Sequence, residues 1–258
     1  MEFQTIRYEV NDKVATITLN RPSAYNAMTE AMNKEITTAL KVAGKDSSVR
    51  CVEVTGEGKA FCSGQDLVDV EESTNHADFL RERYHPMIRA MKQTPKPIIA
   101  AINGTAAGAG MSLALAADFR MMKSQAKLVS AFMNVGLVPD SGFMYLLPRI
   151  IGYSKALEVA TLGKPITGEE ALEMGLISEL VEPSDWEEKR KTFASQLAAL
   201  PTKSFSLIKR YMLDSMNHDI STFLEQEAHA QRIAGMSDDH QEGLTAFAEK
   251  RKARFSGS

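Results

Sequence analysis

A chain of 258 residues with 44% apolar and 24% charged side chains can bury one sizeable core and leaves no room for extended disorder. Its net charge of −3 offers no basic field to nucleic acid or an anionic membrane. Its apolar runs break within about a dozen residues, too short for a bilayer span. The two cysteines, Cys51 and Cys62, lack partners at metal-ligand spacing and suit a reducing compartment better than a disulfide framework. The polar start MEFQTIRYEV reads as a strand rather than a signal peptide, so the cytoplasm is the expected location.

In chain order, FQTIRYEV and KVATITLN are rich in β-branched residues and predict a hairpin, with turn chemistry at Asn11-Asp12. After RPSAYNA, Thr29 can cap a helix with Met32, Ile36, Ala39, Leu40 and Ala43 on its apolar face, ended by Gly44. VRCVEVTG predicts a buried strand and runs into the glycine-bearing loop GEGKAFCSGQD. An amphipathic helix is expected over 75–92, then a short apolar strand in KPIIAAING, a helix from near Gly110 and a strand from Asp118. Strand, loop and helix recurring in this way predict an α/β core with mainly parallel connections. Beyond about residue 183 the pattern turns helical. Ser184 and Glu187 have capping-box spacing, and Pro201 breaks the helix they would open.

Three places could carry chemistry. The loops FCSGQD and GTAAGAG each follow an apolar strand, and their small residues let backbone N–H groups approach a ligand oxygen. Neither has a phosphate-loop pattern. They read either as tight turns or as an oxyanion hole with one N–H donated from each. The third place is GLVPDSGFMYLLPR, where Asp140 stands alone in an apolar run. It reads either as a helix N-cap or as a general base whose pKa an apolar pocket would raise. His76, His218, His229 and His240 fall in polar stretches and read as surface, whereas His85, before Pro86, stays open. There is no nucleophile elbow and no His/Cys/carboxylate cluster at metal spacing.

Taken together, LNRPSAYNA, GKAFCSGQDL, KPIIAAINGTAAGAGMSLALAADFR, NVGLVPDSG and GEEALEMGLISELV resemble, in order and across about residues 5–255, the crotonase superfamily of enoyl-CoA hydratases and isomerases. The resemblance implies a spiral of ββα units over 1–200 that binds acyl-CoA. It also implies a helical region over 201–258 used in trimerisation, with a homotrimer or dimer of trimers. It implies no metal or redox cofactor, since coenzyme A belongs to the substrate.

By the same resemblance the two oxyanion donors are the N–H groups of Gln65 and Ala109, with Gly64, Gly108 and Gly110 giving backbone access. Cys62, Asp66 and Leu67 come with the first loop as expected substrate contacts. Fixed dipoles aimed at a developing enolate oxygen lower the barrier, and losing one such donor typically costs ~3 kcal/mol. Ser23, Ala24 and Tyr25 match the loop bordering the CoA nucleotide. Phe247 and Lys250 match the terminal helix that approaches CoA, often in a neighbouring subunit; a solvated basic helix end is the alternative there.

The two glutamates that hydratases of this family use correspond to Ser112 and Phe132, neither of which can act as a base. Asp140 instead matches the lone catalytic aspartate of some isomerases. GLVPDSG…LLPR most resembles the type that isomerises 1,2-epoxyphenylacetyl-CoA, except that Phe143 stands where a glycine is usual. The implied reaction moves a double bond, or rearranges a ring epoxide, by proton transfer through Asp140 between walls that include Phe132, Val138 and Phe143. Three alternatives are a hydratase with a non-standard site, a non-catalytic acyl-CoA binder and a 4-chlorobenzoyl-CoA dehalogenase-like enzyme. In the last, Asp140 would be a nucleophile with His85 nearby.

Overall fold

Two left-handed residues turn the chain back on itself at its first hairpin. In the computed structural model, which describes residues 2–69 and 75–258, β1 (Ile6–Asn11) pairs antiparallel with β2 (Val14–Leu19). Asn11 lies opposite Val14, so the turn is Asp12-Lys13, one place later than expected, with φ of 49° and 67°. That geometry matches the twist of a two-residue hairpin. α1 (Glu30–Lys45) starts as expected: the Thr29 side chain accepts the Met32 N–H at 3.3 Å, and Met32, Ile36, Ala39, Leu40 and Ala43 are buried. Gly44 does not end it. The helix runs through Lys45, and the Asp46 N–H closes the last turn on the Val42 carbonyl.

Strand–strand–helix units follow. β3 (Cys51–Gly56) leads to β4 (Ala60–Cys62), then α2 (His76–Phe79) and α3 (His85–Gln93). β5 (Ile98–Ile102) leads to β6 (Thr105–Ala107) and α4 (Ala109–Ala116). β7 (Phe119–Lys123) leads to β8 (Leu128–Val129) and α5 (Phe143–Ile151). Then come α6 (Tyr153–Leu162), α7 (Gly168–Glu173), β9 (Glu179–Val181), α8 (Trp186–Ala198), α9 (Thr202–Asp214), α10 (Ile220–Gly235) and α11 (Asp238–Ala248).

The first strand of each unit joins a large sheet, ordered β1-β2-β3-β5-β7-β9, and the second joins a small sheet, β4-β6-β8. Apart from β1–β2, these ladders are parallel. This is the ββα spiral. Two glycines allow the crossings between sheets: a Cβ on Gly56 would lie 2.3 Å from the Ala60 carbonyl oxygen, and one on Gly104 would lie 2.0 Å from that of Lys59. β3 and β5 are buried on both faces, as central parallel strands are; β5 is accordingly an unbroken apolar run, whereas β3 also buries Glu53 and Thr55. One face packs on α1, α3 and α4. On the other, Cys51, Ile99, Ala101 and Met121 meet Trp186, Ala194 and Leu197 of α8.

The amphipathic stretch expected as one helix over 75–92 is interrupted. Between α2 and α3, residues Leu80–Tyr84 form a π turn, which shifts the register of the inward-facing side chains. The capping box expected at Ser184 and Glu187 does not form: Ser184 bonds the Asp185 carboxylate, and Glu187 pairs with Arg190. The box stands instead at Thr167 and Glu170, ahead of α7. Lys209 of α9 pairs with half-buried Asp118 at 2.8 Å, and Phe205 meets Phe119, so α9 is tied to the large sheet. α10 buries none of its 16 residues. Among the described residues no helix is long and apolar enough to cross a membrane.

Candidate active site

The small sheet positions the site. A cavity of about 260 Å³ opens where its three strands end, lined by Ser63–Gln65 after β4, Gly108 and Ala109 after β6, and Ala131 and Phe132 after β8. Loops at the carboxyl ends of parallel strands are where such folds gather ligands.

Two backbone amides on this rim are unengaged. Gln65 forms a parallel bridge with Met28 in which the Met28 N–H donates to Gly64 O at 2.7 Å and the Asp66 N–H donates to Met28 O at 2.9 Å. A parallel bridge uses the neighbours of its central residue, so the N–H of Gln65 itself points away from the ladder. Ala109 opens α4, where a helical N–H has no acceptor four residues back. Among the described residues neither amide donates to a backbone carbonyl. Gly64 sits at φ 102°, with its Cβ position 3.0 Å from Ala107 O and 3.5 Å from the Ala109 nitrogen. A side chain there would strain the backbone and crowd the approach of the two loops.

Asp140 enters from the third unit. Its carbonyl accepts the Phe143 N–H at 2.9 Å and the Ser112 hydroxyl at 3.1 Å, and its carboxylate accepts the Ser141 hydroxyl at 2.8 Å. Ser141 and Gly142 both have positive φ, 53° and 83°, which folds the loop tightly before α5. The N-cap reading fails: Gly142 holds that position and no side chain caps α5. Burial raises the Asp140 carboxyl above its ordinary range. The Ser141 bond and the charges of His85 and His76 oppose the rise without cancelling it.

Of the expected substrate contacts, Gly64, Gln65, Leu67, Ala109 and Phe132 line the cavity with Asp140. Phe143 does not. It is fully buried behind Phe132, ring centroids 5.9 Å apart and edge to face. Gly110 lies under the first loop, where a Cβ would be 2.3 Å from Cys62 O. Cys62 is buried with its thiol pushed up to about 12, which leaves it unreactive. Asp66 pairs with Arg21 at 2.8 Å. Ser23, Ala24 and Tyr25 stay outside the cavity but adjoin its rim, since the Ser63 N–H donates to Tyr25 O at 3.0 Å. Phe247 and Lys250, on and after α11, do not line the cavity either, and Phe247 is 86% exposed. Among the described residues no group of three His, Cys, Asp or Glu side chains could hold a metal ion.

The enoyl-CoA hydratase/isomerase family model matches residues 9–258. The chain belongs to the enoyl-CoA hydratase/isomerase family. A Rhodobacter capsulatus protein named "Probable enoyl-CoA hydratase" is 42% identical over all of both chains. The 1,2-epoxyphenylacetyl-CoA isomerase of Escherichia coli is 38% identical, covering 100% of this chain and 99% of that one. The crystal structure of an enoyl-CoA hydratase from Bacillus anthracis superposes with a TM-score of 0.92 at 32% identity, covering 99% of this chain and 100% of that one.

The cavity walls of this member of the enoyl-CoA hydratase/isomerase family include residues outside the two glycine loops. Sequence reasoning overlooked several of them. His76, read as surface, lines the cavity from α2, together with Phe79, Leu80 and Tyr84. Their spacing is helical, and the π turn that aims Tyr84 inward leaves no local sequence mark. Val135 and Leu137 complete an apolar wall with Val138.

Proposed function

We propose that this chain is an acyl-CoA isomerase that moves a double bond, or rearranges a ring-epoxide acyl-CoA, by proton transfer through Asp140. One observation carries the reading: Asp140 is the one carboxylate among the described residues lining an apolar cavity that also holds two unengaged amide N–H groups. In this reading the thioester carbonyl sits against the N–H groups of Gln65 and Ala109. Asp140 takes a proton from the acyl chain, the resulting enolate is held by the two amides, and the proton returns at another carbon. A carboxyl raised by burial is suited to both halves of that transfer. Among the described residues two-carboxylate hydration has no second group to use: Ser112 gives its hydroxyl proton to backbone carbonyls, and Phe132 is apolar.

A second reading, hydration through Asp140 alone, is favoured by the name of the Rhodobacter relative. Incubating aliphatic and aromatic enoyl-CoA thioesters with the enzyme and resolving products by mass spectrometry separates the two. Isomerisation leaves the mass unchanged and hydration adds one water. Hydration of crotonyl-CoA at rates near those of a dedicated hydratase would overturn the isomerase reading. In the same reading residues 201–258 assemble a homotrimer or a dimer of trimers in the cytoplasm. The support is α10, which buries nothing, and the exposed Ile208, Met212 and Leu224 along the α9–α10 groove. Buried substrate contacts from Phe247 and Lys250 would then come from a neighbouring copy.

A further inference from the structure

The Tyr84 hydroxyl donates to Gln65 Oε1 at 2.5 Å, folding the π turn back onto the loop after β4 within one strand–strand–helix unit. Tyr84 is 1% exposed and closes the π turn Leu80–Tyr84, and its ring stacks at a tilt on Phe79, centroids 6.0 Å apart. Burial keeps the phenol protonated far above its ordinary range, so it is a permanent donor. Gln65 is held at its other amide atom as well, since Nε2 donates to Asp66 O at 2.9 Å. The Asp66 carboxylate is fixed in turn by Arg21 at 2.8 Å. A glutamine tied at both amide atoms cannot swing, and its backbone is then held from two sides: by the Met28 bridge and by its own side chain.

We propose that Tyr84 is a positioning residue that aims the Gln65 N–H into the cavity through the Gln65 side chain. The inference rests on the oxyanion role given to Gln65 above. The physical reason is that a dipole stabilises a developing charge only while it points at it. Half of the oxyanion site lies on a loop rather than at a helix end, and the loop needs a brace that the Ala109 N–H, seated at the start of α4, does not need. The π turn supplies that brace by bringing an aromatic hydroxyl to the back of the Gln65 loop.

The test uses octanoyl-CoA carrying ¹³C at its thioester carbonyl, a saturated probe with no double bond to move. Isotope-edited infrared spectra are recorded on the full-length wild type, Tyr84→Phe, Gln65→Ala and the double variant. In wild type the carbonyl band is expected to move to lower frequency on binding. In Tyr84→Phe the shift is expected to shrink and kcat for the best enoyl-CoA of the panel to fall about ten-fold, part of the loss seen when a whole donor is removed. KM should stay within about two-fold, because only the hydrogen bond to the thioester carbonyl weakens while the other substrate contacts persist. Adding Tyr84→Phe to Gln65→Ala should then change nothing further. A full shift in Tyr84→Phe, or an undiminished effect of Tyr84→Phe in the Gln65→Ala background, overturns the positioning role while leaving the oxyanion reading intact. No band shift in wild type overturns the oxyanion reading itself. Should Tyr84→Phe not fold, Gln65→Met removes the acceptor from the other end, and the same shrinkage is expected there. A full shift in that variant overturns the proposal equally.

Discussion

The hydroxyl of Ser112, buried in α4, donates to the carbonyl oxygen of Asp140 at 3.1 Å and so joins the helix that begins at Ala109 to the loop that carries the carboxylate. The bond is to backbone, so Ser112 locates Asp140 without touching its acid function. The Asp140 carbonyl keeps a second donor in the Phe143 N–H at 2.9 Å. Ser112→Ala is therefore expected to cost ~1 kcal/mol of stability, the net worth of an ordinary hydrogen bond. Its kcat should stay within about ten-fold of wild type, since in the proposed mechanism only the placement of Asp140 is disturbed. Thermal melts and turnover on the enoyl-CoA panel check both. A Ser112→Ala enzyme that folds and is dead would give the hydroxyl a direct chemical duty.

Asp140→Asn should separate chemistry from structure. The side chain caps no helix, so stability is expected within ~1 kcal/mol of wild type near the pH where the carboxyl is half ionised. Turnover should fall ~100- to 10,000-fold, because an amide cannot take the substrate proton. Binding of octanoyl-CoA should persist, because the proposed mechanism holds the thioester at the Gln65 and Ala109 amides. Calorimetric binding alongside steady-state rates reads both outcomes, and near-normal turnover would remove Asp140 from the chemistry.

Acidity should show the same residue from two sides. Burial raises the Asp140 carboxyl, and a base works only when ionised, so kcat/KM should fall on acidification with a midpoint above the ordinary aspartate range. The stability effect runs the other way. A carboxyl raised in the folded state stabilises the fold while protonated, and that contribution is lost as pH rises through the raised value. Asp140→Asn should accordingly gain stability relative to wild type as pH rises across that window. Paired melts at several pH values check the sign, and a gap that shrinks with rising pH would contradict it.

Gly110→Ala is expected to damage both loops at once. Its new Cβ would fall 2.3 Å from Cys62 O and 2.8 Å from Cys62 Cβ, so β4 and the start of α4 must move apart. Overpacking of this kind costs ~1–3 kcal/mol, and the displaced amides should lose more rate than stability. A variant that melts like wild type and turns over normally would show that the loops have slack.

Ile208→Asp with Leu224→Asp tests the exposed apolar groove between α9 and α10. Both side chains are more than half exposed in the single chain, so folding of one copy should survive. Assembly should not, because burying a carboxylate in an apolar contact is strongly unfavourable. Light scattering should report a trimer or hexamer for wild type and a smaller species for the variant. A monomeric wild type would remove the assembly proposal.

Much of this protein could be read from local chemistry. The β-branched runs, the Thr29 cap and the glycine loops after apolar strands act within a few residues of themselves, so their order and type follow from the sequence. So does the oddity of Asp140, a single charge in an apolar run. What tertiary structure alone decided is which apolar side chains face the cavity and which face the core. Phe132 and Phe143 are chemically alike, yet one lines the cavity and the other is packed behind it. Periodicity cannot distinguish the two, because both positions are apolar and both are buried. His76 and Tyr84 escaped for a related reason: a π turn resets the helical phase between them without a proline or glycine to announce it. The Ser112–Asp140 hydrogen bond joins α4 to a loop of the next unit, the Tyr84–Gln65 bond closes the π turn onto the loop after β4, and no local pattern encodes either contact, because each exists only once the helices pack on the sheets.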